Sequence, residues 1–193
     1  LDIVFRSPNP AIKIEFQGGE PLLNWPLIRY VVQKAEQRNI TEKRDLQFVV
    51  TTTLSLATDE MLEFCRDHGL FLIADEVYRE FVYDGRQITS AISLPGFEDV
   101  VVVVDSLSKR YSACGIRLGC LVTRNKDVYQ ACLHMAQGRL SPPGLAQAIA
   151  PGAALLGPEY VEGVVKEYGH RRDILYEELT KIPGIFFRKP EGA

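Results

Sequence analysis

The sequence predicts an α/β protein with a mainly parallel sheet flanked by helices. Short apolar segments alternate with longer segments that have the spacing of helices. The segments "LQFVV", "LFLIAD" and "VVVVVD" are apolar at nearly every position, which is typical of parallel strands that are covered on both faces. At 193 residues, of which 46% are hydrophobic, the chain is long enough to bury such a sheet.

The first third of the chain predicts strands that alternate with helices. Residues 11–16 and 46–50 predict strands, because their apolar side chains recur with the period of a strand or form a short buried run. Residues 24–38 predict a helix, opened by the sequence Asn-Trp-Pro. Thr58 is expected to cap a helix that stops at Gly69, where glycine accommodates a left-handed conformation.

The remaining chain continues the alternation and then becomes mostly helical. Asp84-Gly85 predicts a tight turn. Residues 125–179 have a helical pattern, which Ser-Pro-Pro-Gly at 141–144 divides in two. Four further segments predict strands, namely residues 70–75, 99–106, 115–122 and 184–190.

Composition narrows the class of partner. The net charge of -3 with mixed signs forms no basic stripe, so nucleic acid and anionic membrane surfaces are not expected as partners. No apolar run approaches the ~20 residues that span a bilayer. The four cysteines form no CxxC pair and no dense framework, which favours a reducing, cytoplasmic compartment. Small molecules are therefore the expected ligands.

Polar clusters follow two of the predicted strands. Asp75 and Tyr78 follow the strand at 70–75, and the group Ser106, Ser108 and Lys109 follows the strand at 99–106. In open parallel sheets, ligands bind beyond the carboxyl ends of the strands. The two clusters therefore predict one ligand site at that edge of the sheet.

The residue types in these clusters have a common chemical use. A lysine forms a Schiff base most readily where its ammonium loses water and is partly deprotonated, and a pocket at a strand end can supply that environment for Lys109. A carboxylate such as Asp75 can keep a pyridine nitrogen protonated, which makes the ring an electron sink. The hydroxyls of Ser106 and Ser108 can hold a phosphate together with the guanidinium of Arg117.

Residues from about 70 to 193 resemble the core of a fold-type I, class I/II aminotransferase that depends on pyridoxal 5'-phosphate (PLP). The stretches "SLSK", "YSACGIRLGCLV" and "GRLSPPGLAQ" carry the resemblance, in the family's order. It implies that Lys109 carries the cofactor, Asp75 pairs with the pyridine nitrogen and Tyr78 hydrogen-bonds the ring's phenolic oxygen. It also implies a phosphate site formed by Ser106, Ser108 and Arg117. A homodimer that acts on amino acid and 2-oxo acid substrates is a further implication.

Residues 1 to about 70 depart from the aminotransferase pattern. The place that matches the family's asparagine loop reads "TTTLSLATDE" and contains no asparagine, and no phosphate cup or stacking aromatic residue is recognisable upstream. Residues 12–28, with Gly18-Gly19-Glu20-Pro21, resemble instead the second-strand motif of radical S-adenosylmethionine (radical SAM) peptide maturases. Because no cysteine precedes Cys65, the CxxxCxxC loop for a four-iron cluster is missing, and neither radical chemistry nor a metal site is expected.

The chain is therefore interpreted as an apparent chimera. Residues 1–72 form a radical-SAM-like β/α segment, and residues 73–193 form an aminotransferase-like PLP-binding core that is truncated before the C-terminal small domain. The expected function is transfer of an amino group between an amino acid and a 2-oxo acid, incomplete or inactive in this chain. The alternatives are a radical SAM maturase fragment and a non-catalytic α/β module.

Overall fold

The structure is a computed structural model that describes residues 1–54 and 56–192. The chain forms two compact units that are interleaved along the sequence. The first unit comprises Leu1–Glu76, Ala91–Val104 and Leu121–Met135, and the second comprises Val77–Ser90, Asp105–Cys120 and Ala136–Ala193. The predicted boundary between residues 72 and 73 is based on sequence resemblance and not on contacts within the fold, so it stays a prediction.

Five strands and seven α-helices form the regular structure of the described residues. The strands are β1 (Ala11–Phe16), β2 (Asp45–Thr52), β3 (Leu70–Asp75), β4 (Val101–Ser106) and β5 (Gly119–Thr123). The helices are α1 (Asp2–Phe5), α2 (Trp25–Glu42), α3 (Asp59–Asp67), α4 (Leu107–Arg110), α5 (Lys126–Arg139), α6 (Gly144–Ala154) and α7 (Pro158–Thr180). Short 3-10 turns occupy Pro21–Asn24, Ala91–Ser93 and Cys114–Ile116.

The strands are ordered β1-β2-β3-β4-β5, and the pairs from β1 to β4 are parallel. One row of paired residues crosses these four strands from Phe16 to Val50, Leu72 and Val101. The last three of these side chains are almost completely buried. The predicted α/β fold with a mainly parallel sheet is therefore confirmed.

Two helices on the sheet begin and end for identifiable reasons. The Thr58 hydroxyl accepts a hydrogen bond from the Met61 N–H at 3.3 Å and caps α3. Gly69, with φ of +63°, takes the left-handed conformation predicted for the stop after that helix. α2 continues beyond its predicted end to Glu42, and Lys43 takes the left-handed conformation there.

Two predicted strands need correction. The strand predicted at 115–122 begins only at residue 119 and ends at residue 123. A 3-10 turn precedes it, and Arg117 has a φ of +57°, which is incompatible with an extended chain. Residues 184–190 form neither helix nor strand, and Phe186 is 94% exposed. The adjacent Gly192 instead makes an isolated antiparallel bridge with Val82. An apolar run becomes a strand only where a neighbouring strand completes its hydrogen bonds.

In the described part of the chain, no helix combines the length and apolar character that crossing a membrane requires.

Candidate functional site

The segment after β4 positions the candidate lysine. The hydroxyl of Ser106 accepts a hydrogen bond from the Ser108 N–H at 3.2 Å and caps α4. Lys109 is the third residue of this one-turn helix. The turn closes with the Tyr111 N–H donating to the Leu107 carbonyl at 3.2 Å. A strand end and a single helical turn therefore place Lys109.

Lys109 lines a cavity within the second unit. The cavity volume is about 400 Å³, which lies within the range of ~300–1,000 Å³ found for small-molecule sites. The Lys109 Nζ lies 5.1 Å from the centroid of the Tyr78 ring. The wall combines one amine with hydroxyls, a thiol and aromatic rings, contributed by Tyr78, Phe81, Tyr83, Ser108, Lys109, Ser112, Cys114 and Tyr168.

The ring of Tyr78 is held in place by its neighbours. Phe81 is buried and makes an edge-on contact with Tyr78, with 6.0 Å between ring centroids. Phe81 makes a second edge-on contact with Tyr168 at 5.6 Å. Aromatic pairs prefer such edge-on geometry. The phenol beside Lys109 therefore belongs to a packed aromatic cluster.

The protonation of Lys109 differs from the sequence-based expectation. Hydrogen bonding to Tyr78 is the main effect that raises the pKa of the Lys109 ammonium above its ordinary value, and the charges of Tyr78 and Cys114 act in the same direction. We expected an ammonium that has lost water and part of its proton. The side chain is only half-buried and has an acceptor, so the charged form is favoured instead. Lys109 must lose this proton before its amine can attack a carbonyl carbon.

Asp75 lies at the end of β3 in the first unit. Its backbone pairs in register with Val104 of β4, and its side chain is exposed. The neighbouring Glu76 is buried, and its carboxylate accepts a hydrogen bond from the Ala91 N–H at 2.7 Å. The two acids that follow the strand therefore have different environments: Glu76 stabilises the chain internally, and Asp75 faces outward.

The structure brings only some of the predicted site residues together. Tyr78, Ser108 and Lys109 line the same cavity. Ser106 lines a different cavity of about 230 Å³. Arg117 is exposed, and its Nη1 donates to the Cys114 carbonyl at 3.0 Å.

Sequence reasoning missed several neighbours of the lysine. Cys114 is exposed on the cavity wall, and its Sγ donates to the Ser108 carbonyl at 3.2 Å, a placement that no sequence pattern indicates. Tyr168 comes from α7, far along the chain, and no local pattern links it to Lys109. Arg110 follows the lysine directly and forms ion pairs that the sequence does not reveal.

The Gly-Gly-Glu-Pro stretch makes internal contacts in the first unit. Gly18 and Gly19 have φ of +91° and +56°, a conformation that glycine adopts at little cost. The Glu20 carboxylate accepts hydrogen bonds from Thr52, the last residue of β2, and from Thr53. Burial alone would raise the pKa of Glu20, but these hydrogen bonds outweigh it and lower the pKa. Within residues 1–54 and 56–192, no group of three or more His, Cys, Asp or Glu side chains could hold a metal ion.

These features define an α/β protein with a parallel sheet and a lysine-lined cavity that follows a strand end. Residues 52–193 match the family model described as aminotransferase class I and II. The chain belongs to that family, as the sequence predicted. The match begins at residue 52, so it includes part of residues 1–72, which were predicted to have a different origin.

Known proteins show how much of a family member the chain represents. It is 33% identical over 135 residues to an aspartate aminotransferase from Sulfurisphaera tokodaii, covering 70% of this chain and 33% of that protein. It is 26% identical over 193 residues to an aspartate aminotransferase from Bacillus subtilis, covering 94% of this chain and 49% of that protein. The chain therefore spans between a third and a half of these relatives.

A solved structure shares the fold. A PLP-bound protein from Clostridium difficile 630 matches with a TM-score of 0.67 at 15% identity, covering 81% of this chain and 44% of that protein. Class I and II aminotransferases use PLP as their cofactor. The cavity around Lys109 fits such a group, because a primary amine and several hydroxyls line a space of about 400 Å³.

Proposed function

We propose that this chain is the PLP-binding core of an aminotransferase, with Lys109 as the cofactor-binding lysine. The observation that carries the proposal is the half-buried Lys109 amine, held beside Tyr78 on the wall of a cavity of suitable size. In the proposed reaction, the whole protein transfers an amino group between an amino acid and a 2-oxo acid. The family membership of residues 52–193 supports that reaction class.

The residues on the cavity have separate proposed roles. Lys109 binds the cofactor and, once released by a substrate amine, moves the proton at the substrate Cα. The Tyr78 hydroxyl, on the ring whose centroid lies 5.1 Å from the Lys109 Nζ, contacts the cofactor's phenolic oxygen and helps to set the protonation of the lysine. The hydroxyl of Ser108 contributes to phosphate binding from the same wall. When bound, PLP supplies an electron sink for the carbanion at Cα.

Three further cofactor contacts belong to the proposal on family resemblance. Asp75 would pair with the pyridine nitrogen, while Ser106 and Arg117 would bind the phosphate. The position of Asp75 at the carboxyl end of a parallel strand supports its role, because ligands bind at that edge of such sheets. The proposal also includes a homodimer that acts on amino acid and 2-oxo acid substrates. A cytoplasmic location is proposed because the four cysteines are free thiols.

The origin of residues 1–72 is a separate proposal. Their resemblance to a radical SAM maturase concerns ancestry, and the alternative function as a maturase fragment is not favoured. Glu20 is engaged by Thr52 and Thr53, and one aminotransferase alignment extends over 94% of the chain. Anaerobic reconstitution with iron and sulfide tests this alternative. A stoichiometric cluster signal in electron paramagnetic resonance of the reduced protein would revive it.

Borohydride reduction tests the cofactor site. With PLP added, we expect a visible absorbance band from the conjugated cofactor, and covalent label on Lys109 after reduction. Peptide mapping by mass spectrometry identifies the labelled lysine. Lys109→Ala should abolish the label, and Lys166→Ala serves as the matched control on exposed α7. Label distributed over surface lysines, or unchanged by Lys109→Ala, would contradict the proposal.

A further inference from the structure

We infer that Arg110 is a positioning residue whose ion pairs with Glu80 and Asp105 hold Lys109 against Tyr78. The consequence for cofactor binding rests on the function proposed for Lys109. The geometric relationship itself belongs to the second unit of the chain and does not depend on a bound cofactor.

Arg110 is the centre of a half-buried ion network. Its Nη2 lies 2.8 Å from Glu80 Oε1 and 2.6 Å from Asp105 Oδ2. The exposed fractions of the three side chains are 19%, 21% and 12%, in the order Arg110, Glu80, Asp105. Water screens such pairs less than it screens surface pairs, so their geometry is better defined.

The network joins the two segments that carry the lysine and the phenol. Glu80 lies two residues after Tyr78, and Arg110 directly follows Lys109. The ion pair between Arg110 and Glu80 therefore links the segment that carries Lys109 to the segment that carries Tyr78. α4 has only four residues, and a helix of one turn is unstable without tertiary contacts. The Arg110 ion pairs supply such contacts.

The Asp105 end of the network is itself fixed. Its Oδ1 accepts a hydrogen bond from the Ser106 N–H at 2.7 Å. The backbone carbonyl oxygen of Asp105 packs closely against Gly119. A side chain at position 119 would place its Cβ only 2.9 Å from this oxygen, so a residue other than glycine would force the backbone to move. Asp105 is thus held both by its own side chain and by close packing, and it provides a fixed point for Arg110.

The network contains polar atoms whose burial costs stability. In the described part of the chain, Glu80 Oε2 and Arg110 Nε are buried without a hydrogen-bond partner. Buried polar atoms without partners cost free energy, and buried ion pairs are often no more stabilising than apolar residues of similar size. A role in orienting Lys109 accounts for such an arrangement.

The titration of Lys109 in the cofactor-free protein tests the inference, because positioning and simple electrostatics predict opposite signs. Arg110→Gln removes a positive charge and leaves Asp105 without its guanidinium partner, whereas Glu80 keeps an ion pair with Arg79 at 3.0 Å. By charge alone, this loss raises the pKa of Lys109. If Arg110 holds Lys109 at Tyr78, the substitution instead lets the ammonium move away from Tyr78, the residue whose contact raises this pKa. We therefore expect the pKa of Lys109 to fall towards its ordinary value.

Competitive acetylation across a pH series, read by mass spectrometry, measures the titration midpoint of Lys109. Arg86→Gln is the matched control, because Arg86 is exposed and pairs with Glu191 in the same unit. In a Tyr78→Phe background, Arg110→Gln should no longer lower the midpoint. A raised or unchanged midpoint in Arg110→Gln would overturn the inference, and so would an equal fall in the Tyr78→Phe background.

A second variant keeps the test decisive if Arg110→Gln does not fold. Glu80→Gln combined with Arg110→Gln removes one charge of each sign, so the local net charge is unchanged. The same fall in the midpoint is expected, and no fall would again overturn the inference. Since the measurement is made without PLP, failure of Lys109 to bind the cofactor would leave it unaffected, and the two proposals fail separately.

Discussion

Arg172 and Asp84 form a two-point ion pair within the second unit. Nη1 lies 2.8 Å from Oδ2, and Nη2 lies 3.0 Å from Oδ1. The guanidinium also donates to the Pro190 carbonyl at 2.9 Å and lies 4.6 Å from the centroid of the Tyr83 ring. One side chain of α7 therefore connects the Asp-Gly turn to the chain near residue 190.

Replacing Arg172 by lysine should destabilise this unit. An ammonium cannot make the parallel two-point pair and also donate to the Pro190 carbonyl in the same geometry. We expect a lower urea midpoint for Arg172→Lys, measured by circular dichroism. Arg171→Lys is the control, because Arg171 is exposed and its ion pair within the described residues is with Glu167, one turn away on the same helix. Equal midpoints for the two variants would contradict the structural role of Arg172.

Acid should weaken the same contact. Hydrogen bonding to the Arg172 guanidinium lowers the pKa of Asp84 below its ordinary value. A carboxylate with a depressed pKa contributes stability above its unfolded-state pKa, and this contribution is lost as the pH falls through the folded-state value. The loss should therefore begin near pH 4 and continue as the pH falls. Urea unfolding at a series of pH values measures it.

Asp84→Asn provides the control for the acid effect. Asparagine tolerates the left-handed conformation of residue 84, which has a φ of +58°. The variant should be less stable than the parent at neutral pH and should lose stability less steeply on acidification. A slope identical to that of the parent would show that other carboxylates account for the acid sensitivity.

The sheet core should be sensitive to cavities. Leu72 lies in the middle of β3 and is 1% exposed. Leu72→Ala should reduce the free energy of unfolding by about 2–5 kcal/mol, because the lost apolar contacts are not replaced. Chemical denaturation provides the measurement. The control is Leu155→Ala, at a side chain that is 86% exposed, which should change the free energy of unfolding by less than ~0.5 kcal/mol. A similar loss of stability at both positions would contradict the burial pattern.

The cysteines should differ in reactivity. Burial raises the pKa of the Cys65 thiol to about 12, so it contains almost no thiolate at neutral pH. Cys114 is exposed on the cavity wall. Iodoacetamide at mildly alkaline pH should label Cys114 in the folded protein and Cys65 only in denaturant, as read by mass spectrometry. Labelling of Cys65 at the same rate as Cys114 in the folded protein would contradict the placement of α3.

The fold was predictable where local pattern and burial agree. The strands around Leu72 and Val101 are apolar on both faces, and the stop at Gly69 follows from its conformational freedom. The segment at 184–190 contains the short apolar run Ile185-Phe186-Phe187, yet it forms no strand, because pairing depends on neighbours that the segment itself does not specify. The sequence therefore predicts which segments are able to form a strand, but it predicts less well which of them find a partner strand in the fold.

The candidate site was predictable only in part. Family resemblance identified Lys109 and Tyr78, and the structure places them on one cavity. The pKa of Lys109 was expected to fall, but it rises because hydrogen bonding to the phenol outweighs burial. The contact between Arg110 and Glu80 joins residues separated along the chain, and neither residue has a local pattern that indicates it.

The contacts of Glu20 restrict which side chains position 20 can tolerate. Four groups donate hydrogen bonds to this carboxylate: the hydroxyls of Thr52 and Thr53 and the backbone N–H groups of Thr53 and Leu22. Glutamine has the same length, but its amide would turn N–H groups towards other donors. A carboxylate of this length, which only accepts, therefore matches all four donors. A Gly-Gly-Glu-Pro stretch can thus be retained in a sequence as the joint between two strand ends, without any ligand to bind.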